Sequence, residues 1–402
     1  MARQKFNPAI ELERELRKNI YSSLQGEIVE KVMRQAHIWY ANPGIHEDVK
    51  GHTIKVRETL FPHLYELFEE VKSRLKFKEK VDFYLEGNPS VNACTIPAIE
   101  KGDSHIVIIN SALIDLMSEE ELMFVVGHEL GHIINRDTEL MHLIRYVFPD
   151  EDEIPLALQH QIRLWRQLCE LVADRYGYLA IGDLSVCVRN FYKMASGIDL
   201  GKTEVDIKVL LEENKKDYDY LCQHGYKNEE DHPVNPIRVQ ALNIYVNSPS
   251  EEIFNAEMMV LLELLQRVGD SPYSNALSEY LASAGFLAAK ADGKICQEEI
   301  DAIVEKLAAT QMFARGYLVS IRNQEHEEMF RFSVNQLLRI RPDLEDLMFD
   351  YIIEIILADK KIAAEEVDFL YNVGMNYFNY KKTTVADKLL KHIREDFEPI
   401  TC

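Results

Sequence analysis

The segment His128-Glu129-Leu130-Gly131-His132 is the part of the sequence best suited to chemistry. Two histidines four positions apart on a helix lie one turn apart on one face, so both imidazoles can bind one metal ion. Zinc binds imidazole nitrogen at about 2.0–2.1 Å, and this pair would supply two of the three protein ligands of a catalytic site. Glu129 is suited to act as general base toward a water at the metal. The alternative is a helix with two buried histidines that are satisfied by hydrogen bonds.

The residues after this segment exclude one class of zinc site. The metzincin pattern H-E-x-x-H-x-x-G-x-x-H requires glycine at position 135 and histidine at position 138, where the chain has Asn135 and Thr138. The third ligand must therefore come from elsewhere in the chain.

A second acidic segment, Cys169-Glu170-Leu171-Val172-Ala173-Asp174, offers that ligand. In the gluzincin arrangement, Glu170 from a second helix would complete the zinc site, and Asp174 one turn later would accept a hydrogen bond from a ligating imidazole. Unpaired carboxylates among apolar neighbours would be costly, and a metal would explain them. Cys169 and His142 are competing ligands, and an exposed acidic pair is the alternative for Glu170 and Asp174.

The elements that must position these residues can be predicted from local patterns. Ser118-Glu119-Glu120-Glu121 is a capping box, so a helix should begin at Glu119 and run past His132. Helical periodicity covers about residues 157–181, which include the second acidic segment. Residues 81–85 and 104–110 are predicted strands, and residues 91–96 form a third, less regular one.

Composition and charge exclude several functions. The chain has 402 residues, 47% of them hydrophobic, with 45 Lys and Arg against 67 Asp and Glu. The resulting net charge of −22 repels nucleic acid and anionic membrane surfaces alike. No window has the roughly 20 apolar residues of a membrane span, and the N-terminus does not have the pattern of a signal peptide. Six scattered cysteines fit a reducing compartment, so we expect a cytoplasmic protein.

Breaks in composition divide the chain. We expect a catalytic domain over 1–250, a connecting helix and linker over 251–272, and an all-helical domain over 273–402. This last region contains a repeat, in which residues 291–300 align with residues 358–367. An EF-hand register would put Ala288 and Lys290 at the first calcium-binding positions, where neither supplies a carboxylate, so calcium binding is not expected.

The segments GHELGHIINRD and ELVAD together resemble the HtpX-like and CAAX-prenyl-protease-type zinc metallopeptidases. The similarity extends upstream to Asn92-Ala93 and to residues 106–114, and downstream to His232-Pro233 and Arg238. It covers about residues 60–245. Known members are embedded in membranes or exported, whereas this sequence shows neither feature. The repeat in the last region resembles the TerB-like (tellurite-resistance) helical domain.

The resemblance implies the α+β fold class, with a mainly helical gluzincin metallopeptidase domain, a small β-sheet and an all-α C-terminal domain. It implies one catalytic zinc ion on His128, His132 and Glu170, with Glu129 as base. Asp174 and Arg238 would support the site, and His232 would stabilise the oxyanion, although a turn histidine before proline is the alternative for His232. Asn92 and Ala93 would lie in the edge strand that holds the substrate.

The sequence thus predicts a soluble zinc metalloendopeptidase that acts on a protein or peptide substrate. The C-terminal domain would regulate the enzyme or bind a protein partner. One alternative is a non-proteolytic interaction or stress-response protein that keeps a zinc site. Another is an enzyme held latent by a segment such as residues 202–231.

Overall fold

The chain is mainly helical with one small sheet, which confirms the predicted α+β class. The structure is a computed structural model, and it describes residues 6–36, 45–98, 102–200, 205–224, 232–266, 272–291, 297–309, 313–358 and 362–395.

The helices are α1 (Glu11–Ser23), α2 (Gly26–Ala36), α3 (Ile45–His52), α4 (Pro62–Arg74), α5 (Ser111–Leu116), α6 (Glu119–Asn135), α7 (Asp137–Val147), α8 (Leu156–Ile181), α9 (Leu184–Ser196), α10 (Ile207–His224), α11 (Asn235–Asn247), α12 (Glu251–Gln266), α13 (Pro272–Lys290), α14 (Gln297–Ala309), α15 (Arg315–Ile321), α16 (His326–Ile340), α17 (Glu345–Leu357), α18 (Ala364–Asn376) and α19 (Lys382–Glu395). The strands are β1 (Ile54–Lys55), β2 (Val81–Glu86), β3 (Ala93–Ile96) and β4 (His105–Asn110).

The four strands form one sheet in the order β1-β2-β4-β3. β2 and β4 are parallel, and β3 pairs antiparallel with β4, so that β3 lies at an edge. All six residues of β4 are buried, because this central strand is covered on both faces. The predicted strands over 81–85, 91–96 and 104–110 are confirmed to within two residues at each end, whereas the two-residue β1 was not predicted.

The capping box predicted at the start of α6 is confirmed. The Glu121 amide donates to Ser118 Oγ at 3.3 Å, and the Ser118 amide donates to Glu121 Oε2 at 2.8 Å. The other end of α6 is a sharp corner, because Arg136 adopts a left-handed conformation with φ 61° before α7 begins at Asp137. The capping box thus fixes the start of the helix that carries the two histidines, and the left-handed residue ends it.

Small residues allow α6 and α8 to cross at close range. A Cβ atom added to Gly127 would lie 2.7 Å from Ala180 Cβ and 3.1 Å from Gly177 Cα. One added to Gly131 would lie 3.0 Å from Ala173 Cα. All three distances are shorter than ordinary van der Waals contact, so only glycine fits at these two positions.

The chain divides into two compact units. One comprises described residues within 1–153, 162–223 and 230–262, and the other comprises described residues within 154–161, 224–229 and 263–402. The first contains the sheet and a core that includes Phe68, Phe124 and Phe191. The second is helical and has its own core, with Tyr280, Phe330 and Phe349 fully or almost fully buried. The domain boundaries at residues 250 and 272 remain a prediction, and the repeat loops at 292–296 and 359–361 lie outside the described residues.

No helix in the part of the chain that the structure describes has the length and apolar character needed to cross a bilayer.

Gly127→Ala tests whether the crossing of α6 and α8 is sterically constrained. Glycine-to-alanine changes inside helices ordinarily stabilise a protein by about 0.5–1 kcal/mol. Here we expect a loss of about 1–3 kcal/mol, because the added methyl group forces the two helices apart. Gly51→Ala in α3 is the matched control, since no atom lies within 4 Å of its added Cβ. Urea denaturation followed by tryptophan fluorescence measures both free energies of unfolding, and equal or greater stability of Gly127→Ala would contradict the constraint.

Candidate metal centre

The two histidines of α6 point one ring nitrogen each at a common position. His128 Nε2 and His132 Nε2 lie 3.2 Å apart, and the rings are nearly perpendicular at 86°. Both side chains are largely buried, with 12% and 15% of their surfaces exposed.

Glu170 of α8 completes a triangle with these two nitrogens. Its Oε2 lies 3.4 Å from His128 Nε2, and its Oε1 lies 3.5 Å from His132 Nε2. Ligands at about 2.0–2.1 Å from a tetrahedral zinc ion are separated from one another by roughly 3.3–3.4 Å. The three observed separations are therefore those expected of atoms that share one zinc ion.

The remaining ring nitrogens already have partners. His128 Nδ1 lies 3.0 Å from Asp174 Oδ1, and His132 Nδ1 lies 2.9 Å from Asp137 Oδ2. A carboxylate can only accept a hydrogen bond, so each Nδ1 carries a hydrogen, and a neutral ring in this position has its lone pair on Nε2. This is the tautomer that a metal ligand requires.

One polar atom at this position lacks a hydrogen bond. Within the described residues, Glu170 Oε2 is buried and forms none; the His232 Nδ1 atom 3.0 Å away makes an ion-pair contact rather than a well-aligned hydrogen bond. Buried carboxylate oxygens are costly without a partner. A zinc ion fits this position, because it binds imidazole nitrogen and carboxylate oxygen and would give the buried Glu170 oxygen a partner.

The electrostatics of the cluster also favour a cation. Burial opposes charge on His128, but Asp174 and Glu170 outweigh burial and raise its pKa to about 10. Burial by itself would raise the pKa of Glu170, but contacts with His128 and His232 hold it well below the usual value. The cluster therefore retains a carboxylate charge and attracts positive charge to its centre.

Arg238 of α11 fixes Asp174. Its Nε and one terminal nitrogen donate to the two Asp174 oxygens at 2.9 and 2.6 Å, and its guanidinium lies 4.6 Å from the centre of the Phe191 ring. Although burial raises the pKa of Asp174, Arg238 outweighs that effect and lowers it. Asp174 therefore remains an ionised acceptor for His128, and the structure places Arg238 in direct contact with it.

Glu129 faces the same cleft as the metal cluster and is oriented by the sheet. Thr95 Oγ1 of β3 donates to Glu129 Oε2 at 2.6 Å, and Glu129 is 7% exposed. This contact holds one carboxylate oxygen and leaves Oε1 for another partner.

The cleft has a volume of about 1220 Å³. Its walls include the metal cluster, Glu129, Arg238, His232 and the edge strand β3. Ala93 is the first residue of β3, and Asn92 lies immediately before the strand, where its carbonyl accepts a hydrogen bond from the Asn110 amide at 3.1 Å. The volume exceeds that of an ordinary small-molecule pocket and can accept an extended peptide.

Neither of the competing ligands joins the histidine cluster. Cys169 Sγ lies 3.8 Å from Glu13 Oε1, and burial raises the pKa of its thiol well above the usual value. His142 lines the cleft outside the three-residue cluster, and burial lowers its pKa to about 4. Glu170 is the residue whose oxygens face both imidazoles.

The sequence reasoning missed Asp137 and Thr95. Asp137 follows His132 by five positions, which is not a same-face spacing on a continuous helix; it reaches the ring because the chain turns at Arg136. Thr95 lies 34 positions before Glu129, and nothing in its local sequence marks the contact. An aspartate in the first turn after a helix break was the only signal available.

Comparison with known proteins agrees with this geometry. Residues 59–149 match the model of Peptidase family M48. The matched segment includes β2, β3, β4 and α6 with its two histidines, and it ends before Glu170. The match supports a metallopeptidase function for this part of the chain.

The chain is also similar to a curated relative, the plastoglobule-localized metallopeptidase 48, chloroplastic, of Arabidopsis thaliana. The two are 24% identical over 213 residues, which is 49% of this chain and 61% of the relative. The alignment thus spans about three fifths of the relative's length. No solved structure was found to match the chain significantly.

Proposed function

We propose that this chain is a zinc-dependent metalloendopeptidase that hydrolyses protein or peptide substrates. The observation that carries the proposal is the triangle of His128 Nε2, His132 Nε2 and Glu170 in one cleft with Glu129. Three protein ligands leave a tetrahedral position open for water, which is typical of catalytic rather than structural zinc sites. A further argument against a purely structural site is that such a site needs no general base.

Each residue of the cluster has a distinct part in the proposed reaction. A zinc ion, when bound, would act as a Lewis acid that polarises the substrate carbonyl and makes water more acidic. Glu129, held through Oε2 by Thr95, would accept a proton from the attacking water at its other oxygen. The same carboxyl group would then pass that proton to the leaving amine, so one residue serves both halves of the reaction.

The edge strand β3 would align the substrate. It pairs with β4 on one side and has no paired strand on the other within the described residues. An extended peptide could add to this free side by main-chain hydrogen bonds. Asn92 and Ala93 lie at the start of the strand on the cleft wall, and the contact from Thr95 to Glu129 ties the strand to the base. The scissile bond would thereby be held close to the metal.

His232 would stabilise the charge that develops on the substrate carbonyl oxygen. Its Nδ1 contacts Glu170 Oε2, the ring lines the cleft, and 65% of the side chain is exposed to an approaching substrate. The contact with Glu170 raises the pKa of His232. The ring is therefore suited to donate a hydrogen bond through its second nitrogen.

The finer assignments rest on the sequence. The HtpX-like subtype is proposed from the segments around both ligand helices. A TerB-like domain over 273–402 is proposed as a regulatory or partner-binding module, and the separate helical core of the second unit supports an independent fold there. A cytoplasmic location is proposed from cysteine usage, and the plastoglobule location of the relative suggests a plastoglobule as an alternative.

Replacement of Glu129 by glutamine tests the proteolytic function. We expect Glu129→Gln to retain one zinc ion per chain and to lose peptide cleavage, because only the proton acceptor is removed. Glu170→Ala should lose both the zinc ion and the cleavage. Glu120→Gln, an exposed position in the first turn of α6, is the matched control and should behave like the wild type. Zinc content by atomic absorption and cleavage of casein-derived peptides give the two readouts.

Cleavage by Glu129→Gln at the wild-type rate would contradict the role of Glu129. A zinc-loaded wild-type protein that cleaves no peptide would instead favour the latent or non-proteolytic alternative.

His232→Ala should lower kcat by about 10²–10³-fold with zinc content unchanged, as expected for loss of one oxyanion donor. His63→Ala is a matched control, because His63 has the same 65% exposure and also contacts a glutamate, Glu119. Steady-state kinetics measure both variants. An unchanged kcat for His232→Ala would contradict the oxyanion role and favour the alternative that His232 is only a turn residue before Pro233.

A further inference from the structure

The N-terminal helix α1 brings two charged side chains to the back of the candidate metal centre. Glu13 is fully buried, and the Arg17 side chain is 24% exposed. Neither residue belongs to the segments that match the metallopeptidase motifs. The inference that follows rests on the proposed zinc site.

Arg17 binds both sides of the corner that follows the two histidines. One terminal nitrogen donates to the carbonyl of Asn135, the last residue of α6, and the other donates to Asp137 Oδ1 at 2.6 Å. Between them lies Arg136 in its left-handed conformation. The guanidinium thus satisfies the carbonyl at the end of α6 and the aspartate at the start of α7. These contacts hold a corner whose left-handed conformation is unfavourable for a non-glycine residue.

Asp137 transmits this contact to the metal ligand. Its Oδ2 faces His132 Nδ1 at 2.9 Å, while its Oδ1 accepts from Arg17 and from Asn135 Nδ2 at 2.8 Å. The carboxylate is held on three sides, so it cannot rotate without the loss of a hydrogen bond. The orientation of the His132 ring is fixed as a consequence.

Glu13 connects the same arginine to the helix that carries Glu170. Its Oε1 accepts from Arg17 Nε at 2.9 Å and from Trp165 Nε1 at 2.8 Å, and Cys169 Sγ lies 3.8 Å away. Trp165 and Cys169 belong to α8. The Arg17–Glu13 pair therefore joins the end of α6 to α8, the two helices whose ligands must meet at one point.

The pair is not a second metal site. Oxygen and sulfur atoms of Glu13, Asp137 and Cys169 lie within 4.8 Å of one another, a separation that a metal could span. The Arg17 guanidinium, however, already lies within hydrogen-bond distance of both carboxylates, at 2.7 and 2.6 Å. It provides the positive charge that these two acids require.

We propose that Arg17, held in place by Glu13, is a positioning residue of the metal centre: through Asp137 it fixes His132 and sets its distance from Glu170. It does not touch the metal or the substrate. Its loss should weaken zinc binding, since removal of a group that orients a metal ligand typically costs about 10–100-fold in affinity.

The experiment compares zinc affinity among folded variants, by competition with a chromophoric chelator. We expect Arg17→Met to bind zinc about 10–100-fold more weakly than the wild type. Arg14→Met is the matched control, because Arg14 lies on the same helix, is 53% exposed and contacts only the exposed Glu11 among the described ion pairs. Its affinity should equal that of the wild type.

Two further variants separate positioning from stability. Arg17→Met leaves two buried acids without their cation, so the protein could fail to fold. The double variant Glu13→Gln/Arg17→Met leaves one buried acid, Asp137, without its cation instead of two. It should therefore unfold at a higher temperature than Arg17→Met, yet still bind zinc weakly. Arg17→Lys keeps the positive charge, but its single ammonium nitrogen cannot replace the two guanidinium nitrogens that contact Asn135 and Asp137. It should therefore recover only part of the zinc affinity. The visible absorption of the Co²⁺-substituted protein should change in every variant of Arg17, because the geometry of the metal ligands is altered.

Wild-type affinity in either Arg17→Lys or the double variant, with an unchanged Co²⁺ spectrum, would overturn the positioning role. Absence of zinc binding by the wild type itself would overturn the proposed function as well. Failure of the positioning role alone is thus distinguishable from failure of the proposed function.

Discussion

The structure depends on the convergence of two imidazole nitrogens and one carboxylate on a single buried point. With their Nδ1 atoms hydrogen-bonded to carboxylates, His128 and His132 turn their Nε2 atoms toward each other across 3.2 Å. A proton on one ring can join only two of the three ligand atoms, whereas a metal ion can bind both nitrogens and Glu170 together. The folded protein therefore holds three preassembled ligand atoms that a divalent metal would bind together, and much of the surrounding structure serves to keep them assembled.

Three levels of structure keep the ligands together. The glycines at the crossing of α6 and α8 allow the two ligand-bearing helices to approach. Carboxylate partners then fix each ring, with Asp174 on His128 and Asp137 on His132, and each aspartate is itself held by an arginine. The two arginines come from opposite ends of the first unit's sequence, Arg238 from α11 and Arg17 from α1. Parts of the chain remote from the histidines thereby contribute to the geometry of the site.

Sequence patterns predicted the local parts of this structure and missed the remote ones. The capping box predicted the start of α6, and helical spacing predicted that the two histidines share one face. An acid-x-x-x-acid pattern in an apolar segment singled out Glu170 and Asp174, and the structure places both beside the histidines. The contact between Asp137 and His132 was not predicted, because it depends on a left-handed conformation of Arg136 that a non-glycine residue does not indicate in the sequence. Arg17 and Glu13 are separated by 118–156 positions in the sequence from the residues they contact. Only the packed structure brings them to Asn135, Asp137 and α8.

X-ray absorption at the zinc edge of the zinc-loaded wild-type protein tests the central claim most directly. The account predicts a first shell of nitrogen and oxygen at about 2.0–2.2 Å, with the multiple-scattering pattern of two imidazoles and no sulfur. A sulfur neighbour at about 2.3 Å would contradict it, since a cysteine rather than Glu170 would then bind the metal, and the cluster from which the proposed chemistry is derived would not form.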